Sequence, residues 1–161
     1  MKKIIVIGCP GAGKSTFSRA LRDKMGLPLY YLDMLWHKGD KTNISREEFD
    51  QKLSDILTKE KWIIDGNFGR TLEMRIKVSD TIFLLDFPKE VCLQGVMERV
   101  GKAREDMPWV EERFDEEFRA FIEGFAEKEL PRIYSLLDNY KDKNIIIFKD
   151  RNALNEYINS L

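Results

Sequence analysis

Gly8-Cys9-Pro10-Gly11-Ala12-Gly13-Lys14-Ser15 decides the reading of this chain. Before it, Ile4-Ile5-Val6-Ile7 is a continuous β-branched run, which predicts a parallel strand buried on both faces. After it, Thr16 to Met25 spaces Phe17, Leu21 and Met25 as a helix does. A strand, Gly-x-x-x-x-Gly-Lys-Ser and a helix, in that order, form a phosphate-cradling loop. Gly8, Gly11 and Gly13 allow the backbone N–H groups to point inward, where side chains would obstruct a phosphate. Pro10 and Ala12 complete the turn, and the helix brings its unpaired donors and positive dipole end to the same place. Lys14 supplies a full charge for β- and γ-phosphates, Ser15 a hydroxyl ligand for Mg²⁺, and Thr16 a donor for the α-phosphate. The expected ligand is a nucleoside triphosphate.

Working outward, the 161 residues are expected to form one domain, residues 1–161, burying about two-thirds of the unfolded surface. No apolar run is long enough to span a membrane, and the apolar residues after Met1-Lys2-Lys3 are too few for a signal peptide. Lys and Arg number 27 against 28 Asp and Glu, a net charge of −1. That balance argues against direct gripping of a nucleic-acid backbone, which calls for a basic excess. Cys9 and Cys92 lack metal spacing and read as free thiols of a reducing cytoplasm.

The pattern beyond the first helix keeps alternating. Gly26 suits a helix C-terminus; Leu29–Leu32 reads as a second strand ending at Asp33, and residues 34–43 as a loop. Ser45 and Glu48 form a capping box for a helix reaching about Lys59. Lys61–Asp65 reads as a third strand, Thr71–Lys77 as a short helix and Asp80–Phe87 as a fourth strand. Pro88 is expected at the first position of a helix that ends near Val100. A charged break follows, then a long amphipathic helix from Trp109 through Val110, Phe114, Phe118 and Phe125. Pro131 opens another helix, Asn144–Phe148 is the fifth strand, and Asn152–Leu161 closes the chain as a helix. Alternating strands and helices predict an α/β fold with a parallel sheet covered on both faces, and with all strand C-termini on one edge. Gly8, Asp33, Asp65 and Asp86 fall at that edge, where ligands bind in open α/β sheets.

Asp65 ends a hydrophobic strand, as a carboxylate that holds Mg²⁺ near the phosphates does. Asp33 is either a base or anchor for an acceptor group or the acid of an Asx turn. Arg70, Arg75, Arg99 and Arg104 are candidates for stabilising a migrating phosphoryl group, Arg99 and Arg70 foremost. Asp86 reads as a turn acid. Trp36 and His37 either line an acceptor pocket or pack into the core. Arg151 either stacks on an adenine ring or belongs to a helix cap with Asp150 or Asn152.

Four segments carry a family resemblance: Gly8–Ser15; Tyr31-Leu32-Asp33 with Trp36; Trp62-Ile63-Ile64-Asp65-Gly66-Asn67-Phe68; and Asp80–Asp86. Together they resemble the topology-modulation (FlaR-like) proteins, adenylate-kinase-like members of the P-loop group, over nearly the whole chain. The resemblance implies a three-layer P-loop NTPase fold with a five-stranded parallel sheet of order 2-3-1-4-5 and a short lid, about residues 99–109. It implies an ATP- and Mg²⁺-dependent phosphotransferase, monomeric or homodimeric, acting on a nucleoside monophosphate or a small hydroxylated metabolite. The alternative is a nucleotide-dependent regulatory ATPase associated with DNA topology. Asp33 is closer to the pattern of gluconate- or shikimate-type kinases, although Leu35 stands where shikimate kinases have a second acid.

Overall fold

Five parallel strands carry the architecture of the computed structural model, which describes residues 1–161. They are β1 (Lys3–Gly8), β2 (Leu29–Tyr31), β3 (Trp62–Asp65), β4 (Thr81–Leu85) and β5 (Asn144–Phe148), in the order β2-β3-β1-β4-β5. This is the order that the resemblance implies. The three central strands are buried along nearly their whole length, as a sheet covered on both faces requires. In register, Val6 pairs with Asp65 on one side and with Phe83 on the other. The C-terminal ends of β1, β3 and β4 therefore open onto one edge.

Eight helices surround the sheet: α1 (Lys14–Met25), α2 (Leu32–Trp36), α3 (Arg46–Leu57), α4 (Gly69–Val78), α5 (Lys89–Arg99), α6 (Glu116–Lys128), α7 (Leu130–Asp138) and α8 (Arg151–Ser160). Their ends follow local chemistry. Ser45 accepts from the Glu48 N–H at the start of α3, and Asp150 accepts from Ala153 N–H at the start of α8. Gly26 adopts the left-handed conformation after α1 and donates to the Arg22 carbonyl.

Three sequence expectations are corrected. Leu32 is not strand and residues 34–36 are not loop: the chain turns into α2 immediately after Tyr31. Leu32 is fully buried against the backbone at Gly66, and that anchor pulls the segment off the sheet edge. Pro88 sits at the N-cap of α5 rather than inside its first turn. The long helix does not begin at Trp109; α6 starts at Glu116, with Asp115 as N-cap. Trp109 and Glu111 are drawn into tertiary contacts with His37, Arg99 and Arg104, which hold residues 100–115 in an irregular course. Residues 100–115, which include most of the expected lid, run without helix or strand.

Candidate active site

The phosphate loop is built against two neighbours. Gly8 donates to Asn67 Oδ1 at 3.0 Å and accepts from Asn67 Nδ2 at 2.7 Å, so one side chain clamps both polar groups of the first glycine. Gly11 lies so close to α5 that a Cβ on it would overlap the Cys92 carbonyl, and a Cβ on Gly95 would overlap the Gly11 carbonyl. Gly11 and Gly13 also have φ of +83° and +97°, conformations that side-chain-bearing residues rarely adopt. Lys14 Nζ donates to the carbonyls of Gly8 at 2.9 Å and Cys9 at 3.2 Å, curling back over the loop. Burial holds the ammonium below the usual lysine range, against the opposing pull of Asp65.

Ser15 and Asp65, the two expected metal donors, are in contact. The Ser15 hydroxyl donates to Asp65 Oδ2 at 2.7 Å. Asp65 is 4% exposed, and burial pushes its carboxyl up to about 6 although Lys14 and the Ser15 hydrogen bond favour the anion. Such a carboxylate is short of compensating positive charge. With the adjoining hydroxyl it makes an oxygen-donor pair suited to a hard divalent cation.

The loop opens into a cleft of about 1630 Å³. Ligand pockets usually measure about 300–1,000 Å³, so this one has room for two reactants side by side. Pro10, Gly11, Gly13, Lys14, Ser15 and Thr16 line it. Gly8 and Ala12 do not: Ala12 is fully buried, and contributes its carbonyl, which accepts from Arg151 at 3.4 Å. On the β5 side Arg151 lines the cleft with its guanidinium 5.3 Å from the Phe87 ring centre. Asp150 takes the helix cap that the sequence left open between it and Asn152.

On the β2 side α2 presents Asp33 and, one turn later, His37 to the same cleft, 3.8 Å apart. Although 43% of the Asp33 side chain is exposed, the surrounding walls desolvate its carboxyl and push it upward, while His37 and Lys14 pull it down. Trp36 points away; its ring packs edge-on against Phe49 at 5.6 Å, the core alternative.

The arginines divide. Arg99 lines the cleft and feels Lys14, Asp33 and Glu111, with burial lowering its proton affinity. Its Nε is buried without a hydrogen-bond partner, 3.6 Å from Glu111 Oε2. Arg104 lines the cleft too, 3.3 Å from Glu111 and 3.6 Å from Asp106. Arg70 does not join them: it is on the surface, bound through two hydrogen bonds to Asp50. The left-handed turn at Phe68 starts α4 one residue before Arg70 and directs that side chain to α3. Arg75 is fully buried and donates to the carbonyls of Gly66, Asn67 and Phe68. Burial depresses it to about 9, and it holds the loop after β3 rather than facing a ligand.

Three cleft residues carried no separate signal in the sequence reading. Asn67 stood in the quoted Asp65-Gly66-Asn67-Phe68 segment, but its clamp spans 59 positions. Asp106 and Glu111 looked like two acids among many, and only their pairing with Arg104 and Arg99 distinguishes them.

No sequence family matches the chain, and no curated protein matches it in sequence. Solved structures do match in fold. Shikimate kinase from Acinetobacter baumannii in complex with shikimate has a TM-score of 0.66 at 15% identity, over 99% of this chain and 90% of that one. Shikimate kinase from Bacteroides thetaiotaomicron gives 0.65 at 20%, over 98% and 94%. A gluconokinase from Sinorhizobium meliloti 1021 gives 0.58 at 13%, over 98% and 87%. With the 2-3-1-4-5 sheet and the loop at Gly8–Ser15, these likenesses establish the fold: a three-layer α/β P-loop fold of the kind seen in small-molecule kinases.

Proposed function

We propose that this protein is a P-loop kinase that transfers the γ-phosphoryl group of ATP to a hydroxyl of a small acceptor. The observation that carries the reading is one cleft lined by Lys14 and Asp65 at the phosphate loop and by Asp33 on the β2 side. A loop made only to bind nucleotide has no need of Asp33 on the opposite wall. The likeness to shikimate kinase and gluconokinase folds supports a hydroxylated metabolite over a nucleoside monophosphate as acceptor. The resemblance to topology-modulation proteins supplies the rival reading, a regulatory ATPase.

In this reading the backbone N–H groups of Gly11 and of residues 13–16, with Lys14, bind the β- and γ-phosphates, with Lys14 released from the Gly8 and Cys9 carbonyls. Ser15 and Asp65 would hold Mg²⁺, which supplies charge neutralisation on the phosphate oxygens. Arg99, which lines the cleft, offers its guanidinium to the equatorial oxygens, where charge spreads in the transition state. Asp33 orients the acceptor hydroxyl and takes its proton as the new P–O bond forms. Residues 100–115 arch over the reacting groups and limit access of water, whose attack would waste ATP.

The deciding experiment follows ATP-to-ADP conversion with Mg²⁺ across hydroxylated metabolites, nucleosides and nucleoside monophosphates, with Lys14→Ala as the blank. An acceptor should raise turnover above the acceptor-free rate, and Lys14→Ala should lower it by roughly 10³-fold or more. Slow hydrolysis indifferent to every acceptor would favour the regulatory ATPase instead.

A further inference from the structure

Before a loop lysine can bind phosphate it must leave the groups it already holds. Lys14 Nζ donates to two carbonyls, those of Gly8 at 2.9 Å and Cys9 at 3.2 Å, and both residues are buried. A buried carbonyl stripped of its donor costs free energy, and that cost would be subtracted from nucleotide binding. Here each carbonyl has a second donor in place. The Cys9 carbonyl accepts from Ala12 N–H at 3.1 Å, inside the loop itself. The Gly8 carbonyl accepts from Asn67 Nδ2 at 2.7 Å, while Asn67 Oδ1 accepts from Gly8 N–H at 3.0 Å. The amide serves both groups at once; a carboxylate could not donate, and an ammonium could not accept. Asn67 is itself held by contacts that do not involve Lys14. Gly66 N–H donates to the Val6 carbonyl at 3.1 Å, and the fully buried Arg75 donates to the carbonyls of Gly66, Asn67 and Phe68. A Cβ on Gly66 would come within 2.9 Å of the Leu32 side chain, so the same turn is packed against α2.

We propose that Asn67 is a positioning residue for Lys14: it keeps the Gly8 carbonyl paired when Lys14 moves to the phosphates, so the lysine leaves without stranding a buried acceptor. Ala12 N–H does the same for the Cys9 carbonyl. The proposal rests on the reading of this loop as a nucleotide site, and it gives Asn67 no contact with nucleotide or acceptor. The two hydrogen bonds of Asn67 then have separate consequences. Its bond from Gly8 N–H is present with or without ligand and supports the loop. Its bond to the Gly8 carbonyl matters when Lys14 departs, because until then Lys14 also donates there. Without Asn67 the carbonyl would depend on Lys14, and the lysine would be held back from the phosphates.

Calorimetric titration of the full chain with Mg²⁺ and a non-hydrolysable ATP analogue tests this in a double-mutant cycle. Asn67→Ala should weaken affinity about tenfold when Lys14 is present. In the Lys14→Ala background, where no lysine has to leave the carbonyl, the loss should be less than about twofold. Equal losses in the two backgrounds would mean that Asn67 only supports the loop, and would overturn the proposal. Full affinity in Asn67→Ala would overturn it as well and leave the kinase reading standing. Wild-type protein that does not bind the analogue would remove the nucleotide reading and this inference with it. Thermal unfolding identifies a misfolded variant, and a measurement on wild-type protein then decides. In NMR spectra, adding the analogue should shift the Lys14 side-chain signals while the Asn67 side-chain amide keeps its protection from hydrogen exchange. Loss of that protection on binding would mean that the clamp opens together with the lysine, and would overturn the proposal.

Discussion

Residues 8–16 and residues 100–115 face each other across the cleft, and their positions are specified in different ways. The phosphate loop is held through its backbone. Asn67 clamps Gly8, Gly11 and Gly95 bring two backbones into direct contact, and Lys14 bridges two carbonyls. The segment opposite is held by side chains. Glu105 accepts from Tyr31 and Arg22, Glu111 faces Arg99 and Arg104, and Trp109 meets His37. Backbone contacts inside a packed core resist local opening by several kcal/mol, whereas the half-exposed Arg22–Glu105 pair is screened by water and adds little. The comparison teaches a division of labour. One wall is fixed by main-chain contacts within the sheet's core, and the other by side-chain partners that substitution can change without disturbing the sheet.

The sharpest way to break the comparison is Gly11→Ala. Overlap with the Cys92 carbonyl and the left-handed φ together should cost about 3 kcal/mol, lowering the melting midpoint by roughly 10 °C. Nucleotide binding should be lost in isothermal titration; wild-type affinity and midpoint would mean that the loop is softer than its contacts indicate.

Asp65 sharpens it next, because its raised pKa gives a pH signature. Below about pH 6 the carboxyl carries a proton that must leave before a cation can bind. Mg·nucleotide affinity should therefore fall about tenfold per pH unit as pH drops below about 6, and Asp65→Asn should be weak and flat over that range. For folding without ligand the sign reverses. The folded pKa lies above the unfolded one, so this group's contribution is greatest below about pH 4 and is lost as pH rises to about 6. An unaltered pH profile in Asp65→Asn would place the cation elsewhere.

The smallest effect belongs to the other wall. Tyr31→Phe removes the hydroxyl that donates to Glu105, at a part-buried site, and should cost about 1 kcal/mol, about 3 °C. Limited proteolysis should then cut residues 100–115 faster while the phosphate loop stays protected. Cleavage unchanged, or spread evenly over the chain, would show that the two walls are not separately held.

Where the determining interactions are local, the chain was legible in advance. The strand, loop and first helix follow one another without a gap, and Gly26, Ser45 and Asp150 act within three or four residues of themselves. Asp65 was readable because its place at a strand end puts it beside Ser15. Arg70 was misplaced because its destination depends on the backbone turn at Phe68 and on Asp50, twenty residues upstream. The start of α6 was misplaced for a related reason: apolar spacing continues through Trp109 and Phe114, but His37, 72 residues upstream, packs on Trp109 where a helix was expected.

By itself, then, the sequence determined the alternating α/β order, the phosphate loop and the carboxylate at the end of β3, since each depends on short-range periodicity, φ preference or a neighbouring strand end. Tertiary structure alone decided that Asn67 clamps Gly8, that Arg75 is buried under the Gly66–Phe68 turn, and that Arg104 is neutralised by Asp106 and Glu111. The reason is physical. A charged side chain takes its role from whichever partner the fold brings within about 4 Å, and no local pattern records that partner.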